Sequence, residues 1–190
     1  MKYAELYQIV EPLVAPTLIE SSFRRLESGP PNWAKHLDNE FLTFSIFVSR
    51  KFPSHPMRGG RFFARFSRNK TEKPDLSKPL GLVRLLSDEA LIEMKRLENT
   101  VLDNLIAQKG DNPQDEQMLA ALRESWKLEK RFPCRRNADL GLIFYSRVDA
   151  EAWGQFIAKH LPTAIRHLER SADSWSEEIK VTGELHTSRA

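Results

Sequence analysis

Cys134 is the only cysteine in the chain, and Arg131, Arg135 and Arg136 are its neighbours. Such a setting lowers a thiol pKa and favours the nucleophilic thiolate, provided the guanidinium groups converge on the sulfur. A lone cysteine excludes an intramolecular disulfide and any multi-cysteine zinc site, and it suits a reducing compartment. The five histidines, His36, His55, His160, His167 and His186, have no mutual spacing that by itself suggests a metal site. His160 and His167 lie seven residues apart on one predicted helix, where they share a face and could hold a metal with a carboxylate from elsewhere. Carboxylate pairs such as Asp38 with Glu40 and Glu177 with Glu178 could serve acid–base chemistry, but that requires a cleft and shifted pKa values. No phosphate-cradling loop, nucleophile elbow, zinc-protease helix or dinucleotide fingerprint occurs, and Gly59-Gly60 alone reads as a turn. No catalytic, metal or cofactor site follows from these residues. An enzyme built on Cys134, or on His160 and His167, stays a third reading behind two that rest on charge.

Positive charge is unevenly spread. Residues 50–73 carry Arg50, Lys51, Arg58, Arg61, Arg65, Arg68, Lys70 and Lys73 against the single acid Glu72, a net +7 in a chain whose total is +3. A second cluster, Arg123, Lys127, Lys130, Arg131, Arg135 and Arg136 against Glu124 and Glu129, adds +4 over residues 123–136. A field of this kind attracts phosphate or an acidic protein surface. Phe63 lies between Arg61 and Arg65 on one predicted strand face, an arrangement that could stack a base while the arginines hold phosphates. The expected partner-binding residues are Arg50, Lys51, Arg58, Arg61, Phe63, Arg65 and Arg68. The first reading is a non-enzymatic binding protein that docks an acidic protein partner through this hairpin. The alternative is nucleic-acid binding by the same surface, and a plain solvated hairpin remains open beside both.

The elements that would position these residues follow from periodicity. Leu6, Ile9, Val10, Leu13, Val14, Leu18, Ile19 and Phe23 repeat at three and four, predicting a helix over 3–26 with a break near Pro12 or Pro16. Ser28-Gly-Pro-Pro-Asn32 predicts a loop. Residues 41–48 and 61–68 alternate with period two and predict two antiparallel strands joined by a long connection containing Pro53, Pro56, Gly59 and Gly60. Residues 72–81 read as a connector. A helix capped by Ser87 or Asp88 and ended by Gly110, with a second from Asp111 to Phe132-Pro133, predicts a helical hairpin. A third strand over 140–146 precedes a last helix that starts at Asp149 and carries Trp153, Phe156, Ile157, Leu161 and Ile165. Trp153 is expected to anchor that helix on the sheet.

Strand-strand, helix-helix, strand-helix order defines an α+β fold: an antiparallel sheet of three or more strands, helices packed on one face, and a helical hairpin insertion. The second face holds Phe41, Phe47, Phe63 and Tyr145, so part of the sheet is expected to be covered on both sides, with a partner as one source of cover. A chain of 190 residues suits one domain, here 1–172 with a loosely held tail over 173–190, and buries roughly 70% of its unfolded surface. Its mean hydropathy is −0.49. The charged N-terminus does not resemble a signal peptide, and no apolar run reaches the ~18 residues of a membrane helix. A cytoplasmic protein with no membrane partner is expected.

The runs Leu42–Arg50, Gly59–Ser67 and Asp139–Ile157 together resemble uncharacterised bacterial domains found near toxin-immunity and mobile-element genes. The matching elements are a strand, a Gly-Gly turn and a tryptophan that fixes a helix. No catalytic residue is carried over. The resemblance implies an accessory or immunity-like binding protein.

Overall fold

The computed structural model describes residues 3–27, 29–48, 60–75, 79–109, 117 and 141–170. Its first element, helix α1 (Tyr3–Glu20), buries Leu6, Val10, Val14 and Leu18, one residue per turn along a single stripe. The break expected at Pro12 or Pro16 does not occur, since both prolines lie inside the continuous helix. Each lies on the exposed side. A proline removes one N–H and crowds the carbonyl four residues earlier; here the affected positions, Gln8, Pro12 and Pro16, line one exposed seam, so the carbonyls that lose a partner are not shut away from solvent.

The helix also stops earlier than its periodicity suggests. Ser22 takes φ 67°. Phe23 N–H donates to Leu18 O at 2.9 Å and Ser22 N–H to Ile19 O at 2.9 Å, the paired bonds of a Schellman cap with serine in the place glycine usually holds. Phe23 and Leu18, both buried, make the apolar contact that accompanies this cap.

Among the described residues the sheet has six strands, all pairs antiparallel: β1 (Arg24–Arg25), β2 (Asn32–His36), β3 (Phe41–Val48), β4 (Gly60–Asn69), β5 (Leu80–Gly81) and β6 (Leu142–Phe144). The first five lie in chain order, and β6 joins β4 beyond the segment that β5 covers. The two long strands were legible from alternation. β1, β2 and β5 were not, because two to five residues without clear alternation carry no period; they form only because β3 and β4 offer them an edge.

Register sorts the side chains. Phe44 faces Phe66, Ile46 faces Ala64 and Val48 faces Phe62, and Trp33 of β2 lies opposite Phe44. These residues form one core with the buried stripes of the helices. Helix α2 (Asp88–Lys109) is capped by Ser87, whose Oγ accepts the Ala90 N–H at 3.3 Å. A short 3-10 turn, Leu82–Leu85, joins it to β5.

Helix α3 (Arg147–Arg170) begins two residues before the expected Asp149. Ser146 and Asp149 cap it reciprocally: Asp149 N–H donates to Ser146 Oγ at 3.3 Å, and Asp149 Oδ2 accepts the Ser146 N–H at 2.8 Å and the Tyr145 N–H at 3.0 Å. α3 packs chiefly on α1 and reaches β6 and α2. It runs beside β4 in the same direction, for Trp153 bonds to β6 at one end and Arg68 reaches Leu168 at the other.

The architecture is therefore the expected α+β class, an antiparallel sheet with helices on one face. The second arm of the helical hairpin, Arg50, Lys51, Arg58, Cys134 and the tail over 173–190 lie outside the described residues. No described helix is long and apolar enough to cross a membrane.

Candidate partner-binding face

The sheet face turned away from the helices collects Asn32 and Ala34 of β2, Phe41, Thr43, Ser45 and Phe47 of β3, and Arg61, Phe63, Arg65 and Ser67 of β4, since directly paired residues share a face. Phe47 lies opposite Phe63, and their rings stack with centroids 5.1 Å apart at 18°. Arg65, two residues along β4, folds its guanidinium over both rings, 4.3 Å from the Phe63 centroid and 5.0 Å from that of Phe47. A cation over an aromatic ring is drawn to the electron-rich face, and Arg65 is thereby held in one orientation.

Gly141 completes the surround. It takes φ +77°, and a Cβ there would lie 3.0 Å from Phe63 Cζ and 3.0 Å from the Phe62 carbonyl oxygen. Only a glycine permits both the backbone angle and the close approach. With Phe47, Arg65 and Gly141 around it, Phe63 is 6% exposed.

Arg61 lies opposite Ile143 of β6 on this same face. It is close enough to Tyr145 to draw that phenol's pKa down, against the dominant effect of burial, which raises it; the Asp149 carboxylate raises it further. At the other end, the chain after β4 folds onto the face. Ser67 Oγ accepts the Asp75 N–H at 3.1 Å and the Asn69 amide at 3.1 Å. It lies 2.6 Å from Thr43 Oγ1, which reaches Ser67 O at 3.2 Å. Thr43 donates to that carbonyl, and Ser67 donates to Thr43. Arg24 pairs with Glu72 beside them. The buried polar pair Thr43 and Ser67 is thus satisfied within the fold.

Arg61, Phe63 and Arg65 are brought together. Arg68 is placed elsewhere: even-numbered positions of β4 face the helices, and Arg68 lies opposite Leu42. Its guanidinium donates to Glu40 Oε1 at 3.0 Å and to the Leu168 carbonyl at the end of α3, where a cation complements the helix dipole. The extra members of the face are Phe47, Gly141 and Tyr145. The apolar alternation of β3 pointed to Phe47, but its contact with Phe63 depends on register, and Gly141 carried no signal.

The remaining sequence candidates are dispersed. His160 leans on the Phe156 ring, 4.6 Å between centroids, and its Nε2 lies 3.1 Å from Glu93 of α2. Lys159 donates to the same carboxylate at 2.8 and 2.9 Å. His167 is exposed, His36 packs edge-on against Phe41, and Glu40 serves Arg68. Among the described residues no group of three or more His, Cys, Asp or Glu side chains could hold a metal ion.

The fold and this face describe an α+β domain with a helical cover on one side of its sheet and an aromatic–arginine cluster on the other. No protein-family model, curated protein or solved structure matches the chain.

Proposed function

We propose that the chain is a non-enzymatic accessory or immunity-like binding protein that docks an acidic protein partner through the sheet face of Arg61, Phe63 and Arg65, together with the sequence neighbours Arg50, Lys51 and Arg58. The observation that carries this reading is Arg65 seated over the stacked Phe47–Phe63 pair, in a segment of net +7. A guanidinium already ordered on aromatic rings loses little rotamer freedom on meeting a carboxylate, and its planar fork takes that group bidentately. An acidic partner is favoured over nucleic acid by the burial of Phe63. Stacking on a base requires an open ring face, and Phe47, Arg65 and Gly141 enclose this one.

The test is capture from the native source with the wild-type chain and with Arg61→Glu/Arg65→Glu, followed by reconstitution with the identified partner. The expected result is direct binding of an acidic protein, weakened by at least about tenfold on charge reversal. A partner bound equally by both chains overturns the reading. Mobility shifts with DNA and RNA at ~50 mM salt form the second arm, because phosphate contacts would give affinity that falls steeply as salt rises. Tight, salt-sensitive shifts that the reversal removes would replace the acidic protein with nucleic acid.

A further inference from the structure

The end of α3 is fixed to the strand that carries the basic face. Arg68 of β4 donates to the Leu168 carbonyl, and Glu169 pairs with Lys35 of β2. The chain therefore leaves α3 at the end of the sheet where residues 37–40 join β2 to β3. Arg65 lies on the opposite face, three residues before Arg68, or about 10 Å along β4. Crossing from the helix layer to that face adds about 10–15 Å. Residues 171–178, which follow α3 and lie outside the described residues, carry Asp173, Glu177 and Glu178 and no basic side chain. The chain from the end of α3 to Glu177 spans up to about 25 Å when extended, and the long side chains of Glu and Arg add reach. The acids are thus tethered within range of Arg65, and their charge is opposite to that of the net +7 segment. An exposed ion pair by itself is weak. Here Arg65 is already ordered over the Phe47 and Phe63 rings, and a short tether holds the acids at an effective concentration on the order of millimolar.

We propose that the acidic segment 171–178 docks in cis on the face of Arg61 and Arg65, with Glu177 and Glu178 meeting the two guanidinium groups, and so competes with the acidic partner for that face. The competition rests on the docking reading above; the cis contact does not. A partner that docks must displace the segment, so its apparent affinity is reduced by the fraction of molecules in which the face is open. The device also selects: a weakly acidic surface fails to displace tethered carboxylates, and only a partner with more charge or more contact area succeeds.

Amide NMR spectra of the isotope-labelled full chain, recorded without any partner, test the contact. Asp173→Asn/Glu177→Gln/Glu178→Gln should move the signals of Ser45, Phe47, Phe63 and Arg65, and Arg61→Glu/Arg65→Glu should move those of residues 173–178. Raising salt from ~50 to ~500 mM should carry the wild-type face signals toward their neutralised positions, because screening shortens the reach of charge. The same spectra report whether each variant is folded. Affinity for the reconstituted acidic partner is the second arm: the neutralised chain should bind about two- to tenfold more tightly than wild type. Face signals that neutralisation leaves in place would overturn the proposal, as would movements that depend on protein concentration and so report contact between copies. Moved signals with equal partner affinity would overturn the competition. Moved signals with no acidic partner found would overturn the docking reading of the face and leave the cis contact standing.

Discussion

The indole Nε1–H of Trp153 donates to the carbonyl oxygen of Ile143 at 2.8 Å, so the first turns of α3 are bonded to the backbone of β6. Trp153 is fully buried and stands edge-on to Phe156, 5.8 Å between centroids. Trp153→Ala should cost about 3–5 kcal/mol from the vacated volume. Trp153→Phe should keep most of the packing but leave the Ile143 carbonyl without its donor, a loss of about 1–3 kcal/mol. Urea denaturation of both variants checks the order, and a Trp153→Phe variant as stable as wild type would show that the hydrogen bond contributes nothing.

Arg65 and Arg68 are three residues apart and lie on opposite faces of the sheet. Arg68→Ala removes the ion pair to Glu40 and the bond to the last turn of α3, so its expected effect is a loss of about 1–3 kcal/mol in stability with partner affinity retained. Arg65→Ala uncovers two phenylalanine rings and should cost only about 0.5–2 kcal/mol, while weakening the partner strongly. Melting and binding measured on the same samples decide; an Arg68 variant that folds normally but no longer binds would return that residue to the interface.

Glu93 and Tyr145, among the described residues, should give the stability a pH dependence. Hydrogen bonding from Lys159 holds the Glu93 carboxyl below its ordinary value of 4.5, with burial opposing and His160 assisting. A folded pKa below the unfolded one contributes stability that is present above about pH 4.5 and fades as pH falls through the folded value. The melting advantage of wild type over Glu93→Gln should therefore shrink in acid. Tyr145 is the reverse case. Burial raises its phenol above 10.0, so its contribution holds below that pH and is lost as pH climbs through the folded value. Tyr145→Phe should remove this alkaline loss, and phenolate absorbance against pH in the folded protein should titrate above an unfolded control.

Gly60 lies opposite Phe144, and a Cβ there would come within 2.2 Å of Phe144 Cζ. The buried ring covers the bare backbone of β4 and packs against Phe62, 5.8 Å between centroids. Valine suits strands better than glycine, yet Gly60→Val should lower stability by about 1–3 kcal/mol because the ring has no room to withdraw. A rise in Tm would show that Phe144 repacks.

The long elements were legible because their signals are local. Alternation over 41–48 and 61–68 fixed two strands and the division of their faces, and the spacing of Trp153, Phe156, Ile157, Leu161 and Ile165 fixed the buried side of α3. Short strands failed for the same reason: Arg24–Arg25 and Leu80–Gly81 are strands only because a neighbour pairs with them. Pro12 and Pro16 misled because a proline penalty depends on which side of the helix faces water, and that is known only after α1 packs on α3.

The sequence by itself determined the α+β order, the segregated charge and the interleaving of Phe63 with two arginines, all properties of residues close along the chain. The tertiary structure alone decided what those residues touch. Pairing β3 with β4 in one register sets Phe47 against Phe63 and Arg65 over both, and the same parity turns Arg68 under the sheet to the end of α3. A shift of one residue would exchange the faces. The choice of register is made by the joint burial of Phe44, Ile46, Phe62 and Phe66 against helices remote in sequence, an energy that no local window contains.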